Sequence, residues 1–208
     1  MSAQSGSAKL FVLAAPSGAG KTTIVKALVA RNPELRFSIS YTTRDKRHTE
    51  VDGADYLFID KDEFNRLRDA GEMLEWAEVF GNFYATSRSQ VETQLAEGHN
   101  VLLEIDWQGA QQVRQSMPDC VSIFILPPSL KELERRLRDR RTDSAEVIER
   151  RLKEAVGDIG HWDEFDHVII NDDLDEAVAR LEAAMAGDSE ATSTGNPELR
   201  RAVEKILS

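Results

Sequence analysis

The run Ala15-Pro16-Ser17-Gly18-Ala19-Gly20-Lys21-Thr22-Thr23 sets a lysine and two hydroxyls directly behind a glycine-rich stretch. Residues of these types at this spacing can cradle phosphate. Gly18 and Gly20 let the backbone curl so that N–H groups point at phosphate oxygens, and the helix start behind them adds partial positive charge. Lys21 can reach the β- and γ-phosphates of a nucleoside triphosphate, and the Thr22 hydroxyl can ligate Mg2+. Ala15 occupies the first position of the usual Gly-x-x-x-x-Gly-Lys pattern, so the match is imperfect there. The plain alternative is a strand–helix turn with no ligand; Lys21 and Thr22 immediately after Gly20 weigh against it. A second candidate is Asp106, which ends the apolar run Val101–Asp106. A carboxylate at a strand tip beside such a loop is where these proteins hold Mg2+, usually through water. Taken alone, Asp106 serves equally well as the cap of a following helix.

These groups need elements that hold them. Leu10–Ala15 reads as a buried strand, and Thr22–Ala30 follows with Ile24, Val25, Leu28 and Val29 at helical spacing. Val101–Asp106, Val121–Leu126 and His167–Ile170 read as further strands. Ser129 with Glu132, Asp143 with Glu146 and Asp173 with Glu176 are capping pairs that open helices between and after them. Strands that are continuous apolar runs, alternating with helices, predict an α/β fold with a parallel sheet. The stretch Phe37–Leu95 breaks that rhythm. Ser38–Thr43, Tyr56–Ile59 and Gly81–Thr86 look like short strands around a helix near Asp62–Asp69, which predicts an inserted α+β lobe. Past Gly187 the composition turns to Ser, Thr, Glu, Gly and Pro, a linker, with a terminal helix over Pro197–Leu207.

Composition bounds the function. The 208 residues suit one domain with small lobes. A net charge of −11 argues against gripping nucleic acid through its phosphates. Positive charge is instead local: Arg36, Arg44, Lys46 and Arg47 stand against one acid, Asp45, and residues 131–153 hold nine Lys or Arg against six acids. The bland reading of the second stretch is a solvated helix face. No apolar run is long enough for a membrane helix, Met1–Lys9 does not read as a secretory signal, and Cys120 is the only cysteine. The expectation is a soluble cytoplasmic protein.

The segment Ser38-Ile39-Ser40-Tyr41-Thr42-Thr43-Arg44-Asp45-Lys46-Arg47 narrows the reading. With it the chain resembles the guanylate kinase family, of bacterial type: P-loop enzymes that move the γ-phosphoryl group of ATP onto GMP. The likeness is carried by Ala15–Thr23, Ser38–Arg47, Asp52-Gly53-Ala54-Asp55-Tyr56, Leu74-Glu75-Trp76, Gly81-Asn82-Phe83-Tyr84, Leu103–Gly109 and Ile170-Asn171-Asp172-Asp173. They stand in the family's order and span about Lys9 to Met185. The resemblance implies a core of residues 8–37, 98–135 and 156–187, a GMP-binding lobe at 38–97, a helical lid at 136–155 and a tail at 188–208.

It also implies roles. ATP lies on Ala15–Thr23, with Arg136 from the lid and Asn171 near adenine. Lys21, Arg44, Arg140 and Arg151 are the catalytic set, because phosphoryl transfer spreads negative charge that arginines and Mg2+ stabilise. Mg2+ takes the Thr22 hydroxyl and, through water, Asp106. Arg44 and Arg47, helped by Tyr56 and Tyr84, hold the GMP phosphate by bidentate, charge-assisted bonds. Glu75 accepts guanine N1–H and N2–H, Ser40 and Thr86 donate to O6, and Glu104 lies near the amino group. The family often has a proline just before the second arginine and a glycine two residues after it; here these are Lys46 and Thr49. Four histidines, His48, His99, His161 and His167, are given no catalytic role, since the attacking phosphate oxygen is already deprotonated. The rivals are a non-catalytic guanylate-kinase-like binding module, a ribose 1,5-bisphosphate kinase and a general P-loop ATPase. An intact Lys21 and Asp106, the set Glu75, Thr86 and Glu104, and the pair Arg44 and Arg47 argue against them in turn. Whether the chain forms a homo-oligomer stays open. The tail is expected to be dispensable for chemistry.

Overall fold

Leu10–Ala14 is apolar and buried at every position, which a strand covered on both faces allows. This strand, β1, is followed in chain order by α1 (Lys21–Arg31), β2 (Arg36–Phe37), β3 (Tyr41–Thr42), β4 (Leu57–Phe58), α2 (Lys61–Asp69), β5 (Met73–Val79), β6 (Asn82–Ser87), α3 (Arg88–Ala96), β7 (Val101–Glu104), α4 (Trp107–Ser116), β8 (Val121–Leu126), α5 (Leu130–Asp139), α6 (Ala145–Ile159), β9 (His167–Ile170), α7 (Leu174–Ala186) and α8 (Pro197–Leu207). The structure is a computed structural model and describes residues 8–79, 81–139, 145–188 and 190–207. Five strands form a sheet in the order β2-β7-β1-β8-β9, and four form a second in the order β4-β3-β6-β5. β2 pairs with β7, and β8 with β9, in parallel. The α/β expectation therefore holds.

Among the described residues the chain divides into two compact units. The first draws on the spans Met1–Phe11, Glu34–Leu103 and Gln108–Cys120. It contains the four-stranded sheet, where β3 and β5 lie antiparallel to β6 and β3 parallel to β4. Phe64, Leu67, Met73 and Ala85 form its buried cluster, and the Phe64 ring stacks on Phe83 at 4.8 Å. Asp60 caps α2 by accepting from the Glu63 N–H, and Phe64 and Leu67 are the residues α2 buries. Four elements here lack an expectation from sequence, the first being β2, two residues that are too short to show a period. In β5 the first three residues, Met73, Leu74 and Glu75, are all buried, so the alternation that marks a strand is missing. α3 buries only Val91, too thin a stripe to read. α4, whose last nine residues fall in this unit, buries Gly109, Ala110 and Val113, two of which are nearly without side chain.

The second unit draws on Val12–Pro33, Glu104–Trp107 and Val121–Ser208. The Ile105 N–H donates to the Leu13 carbonyl (3.1 Å). α1 is tied to α7 by the Arg31–Asp175 ion pair and by Asn32 Nδ2 donating to Glu182 (2.7 Å). Asp173 caps α7 with bonds from Asp175 and Glu176 N–H, as its spacing predicts. Residue 143, half of another predicted capping pair, lies outside the described residues.

The linker expected after Gly187 is corrected for its later part. The Val168 N–H donates to the Thr192 carbonyl (2.8 Å), the Thr194 N–H donates to the Asp166 carbonyl (3.0 Å), and Ser193 bridges antiparallel to His167. The segment thus pairs along the edge of β9. Behind it α8 buries Val203 and Ile206, and the Arg200 guanidinium lies 4.9 Å over the Trp162 ring. Pairing through main-chain groups leaves no hydrophobic signal in a Ser/Thr-rich sequence, which is why composition reads it as free chain.

Candidate active site

In the second unit the residues around Gly20 are held from several sides. Gly18 and Gly20 have φ of +92° and +96°, a region that side chains rarely adopt. Space closes as well. A Cβ on Gly18 would lie 2.9 Å from Leu133 Cδ1, and one on Gly20 would lie 2.4 Å from Asn171 Nδ2. A side chain at either place strains the backbone, and one at Gly20 must also displace Asn171. The Ala19 carbonyl accepts from Asn171 Nδ2 (2.7 Å) and from Arg136 Nη1 (3.1 Å), while Arg136 Nη2 donates to the Asn171 carbonyl (3.0 Å). Arg136 Nε also donates to Glu132 (2.9 Å). Glu132 is pulled down to about 2 by the Arg135 guanidinium first and Arg136 second. Asn171 is buried. Two residues expected to touch ATP are thus joined to the loop's own main chain.

Lys21 Nζ donates to the Ile105 carbonyl (2.7 Å), and the Thr22 hydroxyl donates to Glu104 Oε1 (3.1 Å). The turn after β7 thus brings the Glu104 carboxylate and the Ile105 carbonyl to the first turn of α1, and Asp106 follows directly in sequence. Glu104, assigned from resemblance to guanine, is joined here to the Thr22 hydroxyl. The donors are all oxygens, which suits a hard cation. Among the described residues no three His, Cys, Asp or Glu side chains gather to hold a metal by themselves. Beyond Asp106, the Trp107 indole stacks on His161 at 3.4 Å and its Nε1 donates to Asp158 (3.0 Å). Burial pushes the Asp158 carboxyl up from its ordinary value. Arg151 lies on α6. Arg140 lies outside the described residues.

In the first unit the predicted acceptor-binding residues form two groups. Arg44 Nη2 and Nη1 donate to the two oxygens of Glu50 (2.8 and 3.1 Å), and its guanidinium lies 5.6 Å from the Tyr56 ring centre and 5.8 Å from that of Phe58. Tyr56 meets Tyr84 edge to face at 6.0 Å. The Glu50 bond, aided by Tyr84, raises the Arg44 pKa, and Arg44 and the Arg47 N–H hold Glu50 below the usual carboxylate range. Arg47 itself is exposed, its guanidinium 3.9 Å from Glu50. Glu50 has no place in the sequence reading. The only signal for it is an acid that follows the basic run, and the 44–50 loop, not a regular period, brings it back to Arg44.

The other group is Glu75 and Thr86. They face each other across β5 and β6. Thr86 is fully buried and Glu75 is 5% exposed, and the Thr86 hydroxyl donates to Glu75 Oε1 at 2.6 Å. Burying a carboxylate costs solvation, which hydrogen bonds such as the one from Thr86 offset in part. Ser40 lies just before β3, and its carbonyl accepts from the Leu57 N–H (2.9 Å).

With this geometry in hand, comparison with known proteins decides the family. The model of the family described as guanylate kinase matches residues 7–188. The chain belongs to the guanylate kinase family. It is 57% identical over 176 residues to a guanylate kinase of Aromatoleum aromaticum, covering 85% of this chain and 86% of that one. It is 48% identical over 198 residues to one of Alkalilimnicola ehrlichii, covering 95% and 98%. A crystal structure of guanylate kinase from Anaplasma phagocytophilum matches with a TM-score of 0.71 at 39% identity, covering 88% of this chain and 86% of that one. The guanylate kinase match ends at 188, so the edge-pairing segment and α8 lie outside it.

Proposed function

We propose that this guanylate kinase family member transfers the γ-phosphoryl group of ATP to GMP, giving ADP and GDP, with dGMP as a second acceptor. The observation that carries the choice of acceptor is the buried Glu75 carboxylate with the Thr86 hydroxyl 2.6 Å away. Guanine offers N1–H and N2–H to a carboxylate and O6 to a hydroxyl; adenine sets a lone pair against the carboxylate, and buried mispairing of this kind discriminates strongly.

Residue roles follow from the same chemistry. Backbone N–H groups of Ala15–Thr23 and Lys21 take the triphosphate. Asn171 and Arg136 act by holding the Ala19 carbonyl, which keeps the loop's N–H groups aimed inward. Thr22 can give a lone pair to Mg2+ while its O–H still donates to Glu104, the carboxylate assigned by resemblance to the guanine amino group. Mg2+ there, with Asp106 through water, would offset charge on the phosphates. Arg44 and Arg47, with Tyr56 and Tyr84, take the GMP phosphate, which displaces Glu50 from Arg44. The lobe at 38–97 and the lid at 136–155, with Arg140 and Arg151 for the transferring group, belong to this reading. Among the described residues no helix is long and apolar enough to cross a membrane, and the cytoplasm is the proposed location.

Calorimetry with GMP tests the assignment. Arg44→Ala and Glu75→Gln each weaken GMP binding at least about tenfold, because each removes charge-assisted bonds. Wild-type affinity in the Glu75→Gln protein would overturn the guanine reading.

A further inference from the structure

β5 is an edge strand: the sheet order β4-β3-β6-β5 leaves one side of it without a strand partner. Successive residues of a strand direct their N–H and C=O to opposite edges. At Trp76 both groups meet one side chain. The Trp76 N–H donates to Gln112 Oε1 (3.1 Å), and Gln112 Nε2 donates to the Trp76 carbonyl (2.8 Å). Gln112 lies on α4 within the same compact unit. Its primary amide copies the paired donor and acceptor of a neighbouring strand.

The place where this happens matters. Glu75 immediately precedes Trp76, and the β5–β6 register shifts between Met73 and Glu75. Such a shift loosens the ladder just where Glu75 must be aimed. The two Gln112 bonds restore on the open side what the ladder loses, and they fix the main chain that sets the direction of the Glu75 carboxylate.

We infer that Gln112 is a positioning residue for base selection, holding Glu75 in register with Thr86 so that the carboxylate meets both donors of guanine. This rests on the reading of Glu75 as the guanine acceptor. The paired bond needs an amide: an aliphatic chain offers neither bond, and a carboxylate accepts from Trp76 N–H but repels its carbonyl.

The test is a double-mutant cycle on the full chain, read by steady-state kinetics with GMP and with IMP, which lacks the 2-amino group. Gln112→Ala raises the KM for GMP about tenfold and leaves kcat and the KM for ATP within about twofold. The GMP-over-IMP ratio of kcat/KM falls with it. In a Glu75→Gln background the same substitution changes neither quantity further, because the group it positions is gone. Gln112→Met, which keeps the side-chain length but offers neither bond, behaves as Gln112→Ala and serves if the alanine protein does not fold. Unchanged GMP preference in both Gln112 variants, with preference lost in Glu75→Gln, overturns the inference and leaves the guanine reading standing. Unchanged preference in Glu75→Gln itself overturns that reading and the inference with it.

Discussion

Lys21 and Gly20 do different work within two adjacent positions. Lys21 supplies charge, and its Nζ, now on the Ile105 carbonyl, is proposed to move to the γ-phosphate. Lys21→Ala lowers kcat by roughly 10²–10³, the usual effect of losing one preorganised donor to developing charge, as measured by ADP release. Gly20 supplies shape. With φ of +96° and 2.4 Å from a new Cβ to Asn171 Nδ2, Gly20→Ala must shift either the loop or Asn171. A displacement of that kind costs roughly 10²-fold in kcat/KM for ATP. Asn171→Ala in the same protein recovers only part of it, because the positive φ remains. Lys21, Thr22 and Gly20 are legible in the sequence because their chemistry is written in residue type and order. Asn171 and Arg136 are proposed site residues from resemblance, but their bonds to the Ala19 carbonyl cannot be read from sequence, since those depend on where distant segments of chain meet. Glu50 is invisible for the same reason.

Elements were readable where burial is periodic. β1 and β8 announce themselves as continuous apolar runs, and α5 by Leu133 and Leu137. β5 is hidden because Glu75, a carboxylate, occupies a buried position where an apolar residue would complete the pattern. The segment after Gly187 is hidden because it pairs by backbone. Its docking makes a prediction at this scale. Burying a Val or Ile side chain is worth roughly 1.5–3 kcal/mol, and about 1 kcal/mol moves Tm by roughly 2–4 °C at this length. Taking the lower figure for Val203 and Ile206, removal of residues 188–208 lowers Tm by roughly 6–12 °C while kcat at low temperature stays within about twofold. His167, bridged to Ser193, adds a pH dependence. Burial holds its imidazole below the ordinary value. The unfolded chain therefore takes the proton first, so this contribution is full above about pH 6.5 and is lost as pH falls toward the lowered pKa. Thermal melts at about pH 5.5 and about pH 7.5 show a gap that narrows in His167→Gln.

At the scale of the whole molecule, a chain of net charge −11 must handle two anionic nucleotides. It does so by local placement. Arg44 is held by Glu50 and aromatic rings in one compact unit, and Lys21 sits at a helix start in the other. The measurement that bears most directly on this is ADP formation from ATP and Mg2+ with GMP, AMP, UMP, CMP or ribose 1,5-bisphosphate as acceptor, each repeated with Lys21→Ala. Guanylate kinase chemistry predicts rapid turnover with GMP alone, lost in the variant. Turnover with the ribose bisphosphate but not with GMP, or GMP binding without turnover in the folded wild-type protein, would contradict it.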